Sequence, residues 1–269
     1  MKKYSAFILV ILVCLILLTA LTAAGCASAT GKLEKIQSKG EMVVYTDPNF
    51  SPFEFLGANG ITGVDIEIAK AIAAELGVKE SFKEANFDSI LMALKGGKGD
   101  IAISGFTITD ERKKSVDFSD PYIESVQYLI LPEGSAIEVM EDLAGKKIGV
   151  AKGYTGEFLI EYELGDSGVL RETDTEMKSY NSAMEATLDL KAGRIDAVVM
   201  DEYVAKNIVA QNSGIEAKEL RYKNGELAAE EYGVAIPKGN EDLLEIINKV
   251  IQQLKTEDKI REWVVQFSE

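Results

Sequence analysis

The side chains that this chain can use for chemistry are carboxylates, lysine, arginine and tyrosine, because it contains no histidine. That absence excludes Ser-His-Asp and Cys-His catalysis, imidazole general bases and every histidine-ligated metal site. The two cysteines, Cys14 and Cys26, both lie near the N-terminus, so no disulfide or thiolate zinc site can hold the body of the protein together. No calcium-loop or phosphate-loop spacing occurs, and we expect no metal and no cofactor.

Acidic residues outnumber basic ones along the chain. There are 44 Asp and Glu residues against 29 Lys and Arg, and the formal net charge is -15 at pH 7. Such a chain repels a phosphate backbone, so we expect no nucleic-acid partner. Its length of 269 residues suggests one or two domains, and its 46% hydrophobic content is typical of a globular protein.

Short apolar segments alternate with helical patterns. Residues 42–46 read as a buried strand, apolar residues recur at helical spacing over 68–76, and 101–103 read as another strand. Between them, Asp88 is placed to cap a further helix. Helices between apolar strands predict an α/β architecture built from βαβ units.

The second half repeats this pattern. Residues 147–151 form a predicted strand, and 190–196 lead into a strand at 197–200 as 94–100 lead into 101–103. In both places a helix, a glycine turn, an aspartate and a strand follow one another. We interpret this as an internal duplication, although a common αβ turn also produces it. Two α/β lobes would direct the carboxyl ends of their strands toward one shared cleft.

The N-terminus has the layout of an export signal. A basic start precedes an unbroken apolar run at 6–18, and small residues follow it. The run is short for a membrane-spanning helix, which favours a signal peptide at 1–25 over an uncleaved anchor. Because Ala24-Gly25-Cys26 resembles a bacterial lipobox, we expect a lipid on Cys26 and a lipid-anchored linker at 26–40. Cleavage after Ala29 is the alternative.

Four segments share a family pattern in the same order. The longest is Gly105-Phe106-Thr107-Ile108-Thr109-Asp110-Glu111-Arg112, and the others lie at 46–55, 63–66 and 231–239. Together they resemble the polar amino-acid binding proteins of bacterial ABC importers, over about 42–263. The resemblance implies an exported monomer that is not an enzyme. It captures a free amino acid and delivers it to an ABC transporter permease at the outer face of the membrane.

The resemblance also implies the fold, an α/β protein with two Rossmann-like lobes and a two-strand hinge, periplasmic-binding-protein-like type II. On this chain one lobe is 41–122 plus 233–269, and the other is 127–227. The hinge strands lie near 123–126 and 228–232. The lobes are expected to open and close around the ligand, and the closed form is what the transporter recognises.

The resemblance assigns five residues to the α-amino and α-carboxylate groups of the ligand. Arg112, in the first turn of a helix, would grip the carboxylate through its planar guanidinium. Thr107 and Thr155 would add donors from opposite walls of the cleft, and the Gly105 carbonyl would accept from the ammonium. Asp201 would pair with the ammonium, and its position also suits a helix N-cap.

The resemblance assigns four more residues to the ligand's side chain. Phe50 and Phe87 match aromatic positions that sandwich it, Ser104 would assist nearby, and Asp47 would meet its distal end. Relatives that bind glutamine carry a lysine at the position of Ala151, which would neutralise that aspartate.

Ala151 leaves Asp47 without a neighbouring cation. Strand alternation should point Lys152 the other way. A buried carboxylate without a partner invites a cation, so we expect arginine or lysine as ligand. Glutamine or another polar amino acid is the alternative. An enzyme resembling the cyclohexadienyl dehydratases, on the same fold, is a second alternative, although one arginine facing two aspartates suits an amine ligand better than a dicarboxylate.

Overall fold

The computed structural model describes residues 31–268. The predicted signal peptide at 1–25 and the predicted lipidation site, Cys26, lie outside the described residues. Within residues 31–268, no helix has both the length and the apolar content needed to cross a bilayer.

The first described element corrects the predicted linker at 26–40. Helix α1 (Lys32–Lys39) lies inside it and packs against the lobe that follows. Its Ile36 is buried, and its Lys32 Nζ lies 2.6 Å from Asp100 Oδ1. The helix ends where the N–H of Gly40, at φ 69°, donates to two carbonyls of the last turn. The ordered lobe therefore begins before residue 41.

The remaining elements alternate as the sequence predicts. In chain order they are β1 (Glu41–Thr46), β2 (Asn49–Phe50), β3 (Glu54–Gly57), β4 (Gly60–Thr62), α2 (Val64–Leu76), β5 (Lys79–Glu84), α3 (Phe87–Lys95), β6 (Ile101–Ala102), α4 (Asp110–Lys113), β7 (Val116–Phe118), β8 (Ile123–Pro132), a 3-10 turn (Met140–Leu143), β9 (Lys147–Ala151), α5 (Thr155–Leu164), β10 (Glu176–Tyr180), α6 (Ala183–Lys191), β11 (Ala197–Asp201), α7 (Glu202–Gln211), β12 (Ile215–Glu219), β13 (Ala229–Tyr232), β14 (Ala235–Pro237), α8 (Glu241–Thr256) and α9 (Lys259–Ser268).

The two main sheets have the same topology over five strands. The first sheet has the order β5-β1-β6-β14-β7 and the second β10-β9-β11-β8-β12. In each order the second strand (β1 or β9) is parallel to both of its neighbours, and the fourth strand (β14 or β8) pairs antiparallel with the third. A three-stranded antiparallel sheet, β2-β3-β4, extends the first lobe. The two-lobe α/β fold and the internal duplication are thus confirmed.

An aspartate performs the same task at the start of the third strand of each lobe. Asp100 Oδ2 accepts from the Val43 N–H at 2.7 Å, and Asp196 Oδ2 accepts from the Lys147 N–H at 2.8 Å. The N–H of each aspartate donates back to the carbonyl of that same residue. The aspartate after the glycine turn therefore joins β6 to β1 in the first lobe and β11 to β9 in the second, which explains why the pattern recurs.

Two strands connect the lobes. The first half of β8 pairs antiparallel with β13, from Ile123 opposite Tyr232 to Val126 opposite Ala229. The second half of β8 enters the second sheet beside β11 and β12. Helix α8 packs an apolar stripe into the core through Leu243, Ile247, Val250, Ile251 and Leu254. The hinge motion itself stays a prediction.

The turn before α2 gives a stability prediction. Gly63 has φ 130°, and a Cβ built there would lie 2.1 Å from the Phe53 carbonyl oxygen. Gly60 has φ 114° with nothing within 4 Å of such a Cβ. We expect Gly63→Ala to lower the free energy of unfolding by about 1–3 kcal/mol more than Gly60→Ala, the usual cost of overpacking. Urea unfolding measures the difference, and equal losses would contradict the clash.

Candidate functional site

The predicted site residues meet where the two lobes face each other. Thr107 of the first lobe and Thr155 of the second place their hydroxyl oxygens 2.6 Å apart. Thr155 begins α5, and its neighbour Gly153 accepts a bond from Arg112 in the first lobe. A pocket of about 270 Å³ lies beside Arg112, lined also by Phe87 and Gly153, and its lining includes none of Asp47, Thr107, Thr155 and Asp201. Both lobes thus contribute polar groups to the boundary between them.

Arg112 is held in place by its own short helix. The Thr109 hydroxyl accepts from the Arg112 N–H at 3.2 Å and caps α4. The guanidinium donates to the Thr107 carbonyl at 2.8 Å and to the Gly153 carbonyl at 3.1 Å, across the interlobe boundary. Burial lowers the pKa of Arg112 to about 10, so the group stays cationic at neutral pH. It is therefore a buried, oriented positive charge.

Asp201 lies at the end of β11, where the sequence places it. It occupies the N-cap position of α7, but its side chain makes no capping bond, so that expected second role is wrong. Instead, its Oδ1 accepts from Gln127 Nε2 and its Oδ2 from the Tyr232 hydroxyl, both at 2.6 Å. Burial raises the pKa of the Asp201 carboxyl, while Tyr232, Gln127 and the Arg112 charge oppose that rise.

Glu230 is a buried carboxylate that the motif did not identify. Its Oε1 accepts from the same Gln127 Nε2 at 3.0 Å, and its Oε2 accepts from the Thr107 hydroxyl at 2.8 Å. Burial, followed by the nearby Asp201 charge, raises the pKa of Glu230 well above its usual value. Alternation along β13 places Glu230 and Tyr232 on one face, which is the one sequence signal that was available.

Asp47 is buried at the first lobe's wall. Its Oδ1 accepts from Asn49 Nδ2 at 2.6 Å and its Oδ2 from the Phe87 N–H at 3.0 Å. Burial raises the pKa of the Asp47 carboxyl. Across residues 31–268, no lysine or arginine nitrogen comes within 4.0 Å of it. Asp47 thus lacks an internal cation, as the sequence predicts.

Lys152, which follows the end of β9, pairs with Asp88 and not with Asp47. Its Nζ lies 2.8 Å from Asp88 Oδ2, which joins the rims of the two lobes. The predicted cap by Asp88 is wrong: α3 begins at Phe87, two residues earlier than such a cap requires, and Asp88 lies in its first turn. Asp88 is therefore free to meet the opposite lobe. Ala151 is buried and brings no charge.

The aromatic wall contains a third ring that the sequence did not reveal. The Tyr154 ring lies 4.2 Å from Phe87 and 5.5 Å from Phe50, measured between ring centroids. Phe106 stacks on the other side of Phe87 at 4.6 Å, and the Arg112 guanidinium lies over both of those rings at 5.4 and 5.6 Å. Tyr154 of the second lobe therefore contacts both Phe50 and Phe87, the two rings predicted to sandwich the ligand's side chain.

Ser104 and Gly105 support Asp47 and Phe50, two residues of the first lobe's wall. The Ser104 hydroxyl accepts from the Asp47 N–H at 3.0 Å and donates to Glu54 Oε1 at 2.6 Å. Its one hydrogen is thus used inside the lobe, and Ser104 positions Asp47. Gly105 has φ 55°, and a Cβ there would lie 2.3 Å from Phe50, so this close approach requires glycine. Its N–H donates to buried Asp65, whose pKa burial raises to about 6.

The described residues contain no metal-binding arrangement. Within 31–268, no group of three or more His, Cys, Asp or Glu side chains is placed to hold a metal ion. The site's chemistry is therefore that of charged groups, hydroxyls and aromatic rings.

Known proteins share this sequence and fold. Residues 42–268 match the model of the bacterial extracellular solute-binding proteins, family 3. The L-cystine-binding protein TcyJ of Escherichia coli strain K12 is 34% identical over 235 residues, which cover 86% of this chain and 84% of the relative. An amino acid ABC transporter substrate-binding protein, AbpA of Streptococcus pneumoniae Canada MDR_19A, was solved bound to L-arginine. It is 35% identical, with a TM-score of 0.79, over 87% of this chain and 97% of its own.

An ancestral arginine-binding protein bound to glutamine is also similar. It is 43% identical, with a TM-score of 0.73, over 86% of this chain and 99% of its own. The family match runs from β1 into α9, and these neighbours have the same two-lobe fold. The resemblance drawn from the four segments is confirmed. This chain belongs to the bacterial extracellular solute-binding proteins, family 3.

Proposed function

We propose that this protein captures a free amino acid with a cationic side chain, arginine or lysine, outside the cytoplasm and delivers it to an ABC importer. One observation carries the proposal: Asp47 is buried beside aromatic rings and has no cationic partner among residues 31–268. A buried carboxylate is stabilised when a cation of matching position arrives. The ligand-bound relative AbpA, which holds L-arginine, supports the same ligand class.

The α-amino acid groups would be held between Arg112 and Asp201. Arg112 offers a planar, charged donor for the carboxylate, and Thr107 and Thr155 offer hydroxyls from the two lobes. Asp201 offers an anion for the ammonium. A ligand that contacts both lobes favours the closed form because it binds that form more tightly.

The ligand's side chain would extend toward Asp47. Phe50 and Phe87 flank this path, and a guanidinium or ammonium on an alkyl stem can lie against such rings. We assign Tyr154 to the same wall. A glutamine amide can also donate to Asp47, and the ancestral relative was solved with glutamine. Charge distinguishes the two ligands, because only the cation neutralises Asp47.

We propose further that the protein binds without catalysis and works as a monomer. Asp47, Asp201 and Glu230 surround the site with acids, whereas a prephenate-like dicarboxylate would need a second cationic anchor. A lipid on Cys26 would keep the protein at the membrane face, where a permease can meet the closed form. Prephenate turnover by the purified protein would contradict the binding-only role.

A thermal-shift screen with the common amino acids tests the ligand class. A ligand at about a hundred times its Kd stabilises the folded form by about 2.7 kcal/mol. For a chain of roughly 150–250 residues this raises Tm by about 5–10 °C. We expect arginine and lysine to give the largest shifts, with glutamine smaller. Glutamine or cystine binding tightly with no response to arginine would refute the assignment.

A further inference from the structure

Glu230 and Asp201 form a pair of buried carboxylates on either side of one amide nitrogen. Gln127 Nε2 lies 2.6 Å from Asp201 Oδ1 and 3.0 Å from Glu230 Oε1. The exposed fraction is 2% for Asp201 and 6% for Glu230, so water screens their charges little. Because Gln127 Nε2 donates to both carboxylates, it occupies the position where the nitrogen of an ammonium would bind.

The amide is held only by these two acids. Gln127 Oε1 is buried without a hydrogen-bond partner among residues 31–268. If the Gln127 side chain rotates, no bond at that oxygen is lost. An incoming ammonium brings three donors and a full charge, and therefore replaces the amide with a stronger partner for both acids.

We infer that Glu230 is a second carboxylate for the ligand's α-ammonium, and that capture of an amino acid releases a proton that Glu230 and Asp201 share. This inference rests on the proposed function. In the free protein the two acids face one cation, Arg112, and the hydroxyl of Tyr232. The ligand arrives with its ammonium already charged, and the shared proton leaves to solvent, so charge and atoms balance.

The hydrogen-bond geometry accommodates both protonation states. Glu230 Oε2 lies 2.8 Å from the Thr107 hydroxyl, which in turn lies 2.6 Å from the Thr155 hydroxyl. When Glu230 is ionised, Thr107 donates to it. When Glu230 carries the proton, it donates to Thr107, and Thr107 donates onward to Thr155. Burial and the Asp201 charge raise the pKa of Glu230, which supports a proton in the free form.

Glu230 also connects the ligand to the hinge. It belongs to β13, which pairs with the first half of β8, whereas Asp201 ends β11 in the second lobe. An ammonium bound to both acids therefore joins a connecting strand to the second lobe. Glu230 also lines an open groove beside the same strands, together with the acids Glu124, Glu202 and Glu231. Because that groove is open, the charges of those other three acids are screened by solvent.

Titration calorimetry with L-arginine, in buffers of different ionisation enthalpy near pH 6, tests this inference. We expect the apparent binding enthalpy of the wild type to depend linearly on buffer ionisation enthalpy, with the sign of proton release. Asp47 can also release a proton, but its share is the same in a Glu230 variant. In Glu230→Gln we expect arginine to bind with a smaller slope. The matched control is Glu231→Gln, the exposed neighbour on the same strand, which should keep the wild-type slope.

The pH dependence of affinity gives a second readout. A group that is protonated in the free form and ionised in the complex makes binding tighter as pH rises from its pKa in the complex to its higher pKa in the free form. Arginine affinity of the wild type should therefore rise from pH 5 to pH 7 more steeply than that of Glu230→Gln. If that variant fails to fold, Asp201→Asn removes the other half of the pair and should lose the same proton release.

Three results would overturn the inference: no buffer dependence in the wild type, an unchanged slope in Glu230→Gln, or an equal loss in Glu231→Gln. Failure of the proposed function looks different, since no amino acid would then produce heat or raise Tm. Arginine binding without buffer dependence refutes the proton release alone.

Discussion

Arg112→Ala is expected to abolish measurable binding of every α-amino acid, whatever its side chain. The variant removes the buried cation that would meet the α-carboxylate, and leaves Asp201 and Glu230 without their nearby positive charge. Removing one partner of a buried ion pair costs about 3–5 kcal/mol. That cost corresponds to a loss of affinity of roughly a hundredfold to a few thousandfold. Calorimetry with arginine, lysine and glutamine measures it.

Two variants separate this effect from a general loss of structure. Lys113→Ala changes the next residue of the same short helix, which is exposed, and should bind as the wild type does. Arg112→Lys keeps the charge but loses the planar fork, so an intermediate affinity is expected. An Arg112→Ala protein that still binds arginine, lysine and glutamine with wild-type affinity would show that Arg112 does not meet the α-carboxylate.

The fold was predictable because its signals are local and repeated. Asp100 and Asp196 each follow a glycine turn and begin a strand, and the structure gives both the same backbone partners. Asp47, Arg112 and Asp201 were predicted from the family motifs, and all three lie at the end of a strand or in the first turn of a helix, where an α/β cleft places its polar groups. Their contact with a ligand stays a prediction.

The residues that the sequence did not reveal are those whose surroundings come from the other lobe. Tyr154 reads as a loop tyrosine until the first lobe supplies Phe50 and Phe87 around it. Gln127 and Glu230 read as ordinary polar strand residues until both lobes cover them. Ser104 was predicted to assist near the ligand's side chain, and its hydroxyl instead donates to Glu54, fifty positions away in the chain. Burial of polar groups by a distant segment is not encoded in any local pattern.

Asp47→Asn should weaken cationic ligands selectively. The substitution keeps the size of the side chain and one acceptor for Asn49 or the Phe87 N–H, but removes the charge that would meet a guanidinium or ammonium. Hydrogen bonds to charged groups contribute about 1.5–3 kcal/mol. We therefore expect arginine and lysine to lose roughly tenfold to a hundredfold in affinity, while glutamine, which brings no distal charge, changes little.

The matched control for Asp47→Asn is Asp88→Asn, which removes a nearby carboxylate that already has Lys152 as its partner. That variant should keep the preference for cations, because the charge it removes lies at the rim and is paired. Competition calorimetry, with glutamine displaced by arginine, measures the preference directly in all three proteins. An equal loss of affinity for arginine and glutamine in Asp47→Asn would show that Asp47 supports the first lobe's wall and does not contact the ligand's side chain. A selective loss would place the carboxylate at the ligand's distal end, where it decides which amino acid the closed lobes retain.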